Sequence, residues 1–234
     1  MGSSTRKAAM RLIRVFATLV LLASFTAPPA WSAQGFKFSN PDAVDEAEKA
    51  EKEARDAQVY EQLSTPCRQK IKDKKIMVVI GERQSNGVIY ALQQNYGQHF
   101  DAINRRLRYV GLRTYTSDEI RRQIAQAEID AYFRNDPDAA LSASKRLGAS
   151  FVLRGLISTQ ASRNAMIPVN QVFVDMDFTL TGSDGRVVAD AQASTGSYAG
   201  ANISRMALTL VNEKADEVVA KLYSDYCRNA APMR

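Results

Sequence analysis

Leu147-Gly148-Ala149-Ser150-Phe151-Val152-Leu153-Arg154-Gly155-Leu156-Ile157 passes from the end of a helix into a strand with no linker between them. Gly148 suits the position just past a helix, where the backbone takes a positive φ that strains any side chain. Phe151, Val152, Leu153, Leu156 and Ile157 then place apolar groups on both faces, the pattern of a central strand covered on both sides. Residues 158–170 are polar and are read as irregular. A second strand is predicted from Val172 to Thr181, where Val172, Val174, Met176, Phe178 and Leu180 alternate with Phe173, Asp175, Asp177 and Thr179. That period of two buries one face and wets the other. Gly182-Ser183-Asp184-Gly185 returns the chain as a strand from Arg186 to Ser194, with Val187, Ala189, Ala191 and Ala193 inward. Such small residues let a last helix, about Ser204 to Cys227, lie close through Leu208, Val211, Ala215, Val218, Leu222 and Tyr226.

Upstream, Asn135-Asp136-Pro137-Asp138 starts the helix that ends at Leu147, with a cap followed by proline. Thr116-Ser117-Asp118-Glu119 offers a capping box for a helix to about Phe133, with Ile120, Ile124, Ala127 and Ala131 on one face. Leu112 to Thr116 is a short strand. A helix is predicted from Val88 to Arg108, its core positions being Val88/Ile89, Leu92, Tyr96, Phe100, Ile103 and Leu107. Lys75 to Gly81 carries Ile76-Met77-Val78-Val79-Ile80, a buried strand. Asn40-Pro41-Asp42 starts a charged helix to about Leu63, in which Ala43, Ala47, Ala50, Ala54 and Ala57 form a small-residue seam at heptad spacing. The fold class is therefore α/β: a mixed sheet flanked by helices, with a charged amino-terminal helix.

The helix, L-G-A-x-x-V-L-x-G-x-I and polar-turn pattern is carried here by Leu147, Gly148, Ala149, Val152, Leu153, Gly155, Ile157 and Gly182–Gly185. It resembles the periplasmic α/β module shared by the curli secretion-channel protein, the lipoprotein activators of penicillin-binding proteins and the amino-terminal domain of TolB. The resemblance spans residues 74–226. It implies a non-enzymatic role in secretion, peptidoglycan-synthesis or flagellar-ring assemblies. The curli channel builds a barrel from inserted segments, but residues 158–171 lack the ten-residue alternation of a barrel strand.

Residues 1–32 read as a signal peptide: Arg6, Lys7, Arg11 and Arg14 precede an apolar run, then Pro28-Pro29 and the small-residue site Ala30-Trp31-Ser32. Cleavage after Ser32 leaves no stable membrane anchor, and the absence of a cysteine after the apolar run departs from the lipoproteins. The chain holds 31 basic and 25 acidic residues, a net +6; without the four basic residues of the signal the balance is 27 to 25, about +2. That near-neutral remainder argues against nucleic acid as a partner. The mature protein is expected in the periplasm, as a flexible lead and charged helix (33–66), an α/β module (67–228) and a disordered tail (229–234). In that oxidising compartment Cys67 and Cys227 are expected to form one structural disulfide.

Chemistry-bearing motifs are sparse. The loop from Gly81 to Gly87 lacks the Lys-Ser/Thr of a P-loop, and G-x-G-x-x-G is missing. His99 is the single histidine, too few for a zinc constellation or a serine triad. Asp175 and Asp177 share a strand face about 7 Å apart, as acid–base or metal-binding carboxylates do, and also as the wet side of a sheet does. No cofactor and no catalytic residue is expected. The candidate partner-binding residues are Ala50 and Ala54 on the small-residue seam, and Arg105, Arg106 and Arg108, whose charge also suits a helix end. The reading is a non-enzymatic periplasmic scaffold that docks onto envelope proteins, with homo-oligomers allowed. Its alternatives are a small-molecule sensor using the Gly81–Gly87 loop and a hydrolase using Asp175 and Asp177.

Overall fold

In a computed structural model the described residues are 41–71, 73–83, 89–90, 97–134, 136–163, 166, 169–199 and 202–229. The expected signal peptide, the lead, Leu92 and Tyr96, and residues 230–234 lie outside them. The elements run α1 (Pro41–Leu63), α2 (Arg68–Ile71), β1 (Lys75–Arg83), β2 (Ile89–Tyr90), α3 (Gln98–Tyr109), β3 (Arg113–Thr114), α4 (Ser117–Gln123), α5 (Gln126–Phe133), α6 (Pro137–Leu147), β4 (Phe151–Arg163), β5 (Asn170–Gly182), β6 (Val187–Ala199) and α7 (Ile203–Asn229). The chain is mixed α/β, as its sequence predicts.

One sheet runs in the order β2-β1-β4-β5-β6, and β3 pairs with the start of β1. β1 is parallel to β3 and β4; the β4–β5 and β5–β6 ladders are antiparallel. Gly148 has φ of 71° just after α6, and Ser150 N–H bonds back to the carbonyl of Lys75 at 2.9 Å. The helix stop and the strand start are thus fixed within three residues, which registers β4 against β1. On one face, α3 and α7 bury Ile76, Val78, Ile80, Leu153, Ile157 and the whole alternating set Val172, Val174, Met176, Phe178 and Leu180. On the other, α4, α5 and α6 bury Met77, Val79 and Val152 under Ile120, Ile129, Phe133 and Leu147.

Four expectations give way. β4 continues through residues 158–163, where cross-strand pairing with β5 supplies the partners that local sequence does not advertise. The helix predicted from Val88 to Arg108 is replaced in part: Ile89 and Tyr90 form β2 against Glu82 and Arg83, and α3 begins at Gln98. Gly81 permits this, because a Cβ there would stand 2.8 Å from both Ile89 Cγ2 and Phe133 Cε1. The helix predicted from Thr116 to Phe133 breaks at Ile124, whose backbone is extended (φ −121°, ψ 123°), and a new turn starts behind it. Its second half therefore buries Ile129 and Phe133 in place of Ala127 and Ala131. Finally, a register shift pairs Thr181 with Val187 and Leu180 with Ala189, so Val188 is the extra residue of a bulge. Val188 is buried and Val187 points out, 55% exposed. The Val188 carbonyl accepts from Asn229 Nδ2 at 3.0 Å, so α7 runs through Asn229 and ties the bulge.

Candidate functional site

The helical cover is asymmetric. α4–α6 lie over β1 and β4, and among the described residues no helix lies over the same face of β5 and β6, so side chains of those strands alternate between buried and exposed. Arg154 marks the border: its guanidinium carbon lies 5.2 Å from the Phe133 ring centroid and 5.8 Å from that of Tyr132. Burial at this border pushes the Tyr132 phenol above its usual range. Beyond it the open face is read in cross-strand rows: Leu156, Asp177 and Gln192; Arg83, Ser158, Asp175 and Ser194; Gln160, Phe173 and Gly196. Paired residues share a face, so Asp175 and Asp177 do project together from it, both exposed. A hollow of about 620 Å³ includes Arg83, Ser158, Asp175, Asp177 and Gln192 in its lining. Farther out, the Phe173 ring lies over Gly196, where a Cβ would stand 2.6 Å from its Cδ1. Phe173 is 42% exposed and Tyr198, on the same face, 57%.

Among the described residues no group of three or more His, Cys, Asp or Glu could hold a metal ion. His99 Nδ1 lies 2.7 Å from Glu82 Oε1, joining the start of α3 to the end of β1. That hydrogen bond holds the Glu82 carboxyl below the usual carboxylate range. Residues 84–87 of the expected ligand loop lie outside the described residues, while Gly81 is inside β1.

The arginine triplet is divided by the fold. Arg106 reaches from α3 to α7, with Nε donating to Asp216 Oδ1 at 2.7 Å and its terminal nitrogens to Asn212 Oδ1 and the Asn212 carbonyl. Arg108 donates to Thr114 Oγ1 at 2.7 Å and holds β3. Arg105 is exposed, beside Tyr109, which is 90% exposed. Sequence charge alone could not separate these roles, since all three have helix-end positions. Ala50 and Ala54 are exposed on α1, whose half-buried residues are Arg55, Val59, Gln62 and Leu63. Helical geometry puts that stripe roughly opposite the alanine seam, so the seam faces away from the rest of the chain. Cys67 and Cys227 stand at disulfide distance, with Cα atoms 5.0 Å apart.

The exposed rows of β5 and β6 were legible as a wet face but not as a surface. What sequence reading missed is that β4 adds Ser158 and Gln160, and that Phe173 and Tyr198 complete it. The signal for Phe173 was present, an aromatic residue at a polar phase of the β5 alternation.

No family model and no curated protein matches the chain. Solved structures do. A hypothetical protein, CT253, from Chlamydia trachomatis is 13% identical with a TM-score of 0.43, covering 67% of this chain and 99% of that one. Lipoprotein GNA1162 from Neisseria meningitidis is 15% identical, TM-score 0.39, over 62% of this chain and 97% of that one. The carboxy-terminal domain of LpoB from Escherichia coli is 12% identical, TM-score 0.34, over 59% and 93%. At these scores the likenesses are to part of the chain, and no activity or partner is taken from them.

Proposed function

We propose that this chain is a non-enzymatic accessory protein of the bacterial envelope that works by docking to other proteins, belonging with the curli-channel, penicillin-binding-protein-activator and TolB-type modules. The motif resemblance at Leu147–Ile157 supports the class. One observation supports docking: the helices cover one face of the sheet but only half of the other, leaving β5 and β6 with an exposed strip that runs from Asp177 and Gln192 to Phe173 and Tyr198. An exposed strip that pairs aromatic side chains with polar ones has the composition of a contact surface. Periplasmic location, cleavage after Ser32 and a homo-oligomeric arrangement belong to the same proposal.

In-cell cross-linking of tagged full-length protein, followed by identification of recovered envelope proteins, tests it. Recovery of a defined envelope protein that disappears in Asp177→Arg/Gln192→Arg, with unchanged melting temperature, supports docking through this face. Recovery of the protein alone removes the reading. The hollow at Arg83, Ser158 and Asp175 favours the sensor as second reading, and a ligand that raises the melting temperature would support it.

A further inference from the structure

The two flanks of the helical layer carry opposite charge. α7 lies between them. α3 packs against it on the side of β1 and β3, whereas the first half of α1 lies on the other side, near Gly196 and Ser197 of β6. Between Asp45 and Leu63, α1 holds seven acidic residues against three basic ones, while residues 64–234 hold 23 basic against 17 acidic. An acidic helix is thus mounted on a basic module.

α1 is fixed at one end. The stripe Arg55, Val59, Gln62 and Leu63 holds its second half on α7, and just past the helix Thr65 Oγ1 lies 3.0 Å from Ser224 Oγ. Residues 45–54 are all exposed. At 100° per residue, Glu46 and Glu53 stand on the side away from that stripe, about 10 Å apart along the axis with Ala50 between them. Glu53 meets the exposed Lys49 at 4.0 Å, a loose pair of the kind that contributes little.

On the far flank a hollow of about 390 Å³ is lined by Arg105, Arg106, Tyr109, Asn212 and Asp216. Its one acid is already taken, since Asp216 accepts from Arg106. Arg105 is exposed and has no ion-pair or hydrogen-bond partner among the described residues, although Asp101 stands one turn back. Tyr109, one turn on, is almost fully exposed. An unpaired guanidinium beside an open aromatic ring is the pairing that anchors protein interfaces, and its charge calls for a carboxylate.

We propose that α1 of one copy docks on the α3–α7 hollow of the next, with Glu46 and Glu53 taking Arg105 between them and Tyr109 packing against Ala50. A molecule's own α1 cannot do this, because it is held beyond α7 with those carboxylates turned away. A second copy is favoured over a foreign acidic segment because this chain carries both halves, exposed together and of opposite charge. The contact is heterologous, so each copy makes two, and small areas add along a ring or a filament. Three helical turns in a shallow hollow fall at the low end of specific interface sizes, and exposed charge pairs are screened, so association depends on concentration and on salt. The contact gives a surface to the homo-oligomer of the proposed function and leaves the β5–β6 face free.

Sedimentation velocity on protein purified after expression of the full-length sequence, over a wide concentration range at low and high salt, tests this. The expected result is association that grows with concentration and weakens about tenfold or more in high salt. Arg105→Glu alone and Glu46→Arg/Glu53→Arg alone should each sediment as monomer with melting temperatures unchanged. Mixing the two should restore association, because every altered half then meets its opposite charge. A parent that stays monomeric overturns the proposal, and so does association that survives in either variant or a mixture that stays monomeric. A monomeric parent that captures an identified envelope protein through Arg105 gives the hollow to a foreign acidic segment and likewise removes the second copy. Asp177→Arg/Gln192→Arg should leave self-association as it is, so this inference and docking through the open face fail separately.

Discussion

Arg106→Ala is expected to lower stability by roughly 1–2 kcal/mol, because a partly buried guanidinium with three acceptor atoms on Asn212 and Asp216 of α7 is lost together with its packing. Arg105→Ala should change the urea midpoint by little, since surface substitutions away from such contacts stay within about 0.5 kcal/mol. Equal effects of the two would contradict the clamp. Among the described residues, the Glu119 carboxyl is held far below its usual range. The Thr116 backbone N–H, followed by Lys75 Nζ, holds its carboxyl down to about 2. Its folded pKa lies below the unfolded one, so its contribution is present above about pH 4.5 and fades as pH falls toward 2. The protection of the first-turn amides of α4, taken relative to their intrinsic exchange at each pH, should fall from about pH 6 to 3, and Glu119→Gln should flatten the fall. The capping box was readable from Thr116-Ser117-Asp118-Glu119, but the lysine that joins it was not, because Lys75 lies 44 residues away.

At the scale of elements, α7 is the member on which the others converge. It packs on β5 and β6 through Ala207, Val211, Ala215, Val218 and Leu222, and the small side chains of β6 let it lie close. Its last turn is tied by the Cys67–Cys227 pair, by Tyr226 Oη donating to the Lys70 carbonyl at 2.8 Å and by Phe151 edge-on to the Tyr226 ring at 5.0 Å. Burial raises the Tyr226 phenol to about 12, so it remains the donor across the physiological range. Closing a loop with a sequence separation of 160 stabilises by about 5 kcal/mol in the chain-entropy model. Cys67→Ser/Cys227→Ser should therefore lower the denaturant midpoint by several times more than Arg106→Ala does, and reducing agent should act on the parent alone. α1 is held differently, by a narrow stripe of Arg55, Val59, Gln62 and Leu63. Val59→Asp should raise proteolysis of α1 while leaving the melting of the α/β module unchanged. Loss of both together would show α1 to be part of one cooperative unit.

For the whole molecule, the unequal cover of the sheet is the consequential feature. Two clusters sandwich β1 and β4, whereas among the described residues β5 and β6 are covered on one face. Hydrophobic burial on both faces of β4 makes Leu147–Ile157 the rigid centre, and exposed strands at the side away from it are free to serve docking. Reversing charge on the open face, as in Asp177→Arg/Gln192→Arg, should leave stability within about 0.5 kcal/mol while removing partner recovery. None of the described helices is long and apolar enough to cross a membrane.

The sequence by itself determined what depends on neighbours along the chain. The helix stop at Gly148, the caps at Thr116 and Asp136, the alternation of Val172 to Leu180 and the buried run of β1 are all set by φ, by capping and by period. Tertiary structure decided what depends on distant partners. Residues 158–163 became strand because β5 was there to pair with them, Ile89 and Tyr90 became β2 because Gly81 left room, and a bulge turned Val187 outward against its local phase. The arginines parted for the same reason: equal charges at one helix end met different partners, Asn212 and Asp216 for Arg106, Thr114 for Arg108, and solvent for Arg105. Local geometry is encoded within a few residues, but the availability of a partner across the fold is not, and that availability separated structural side chains from surface ones.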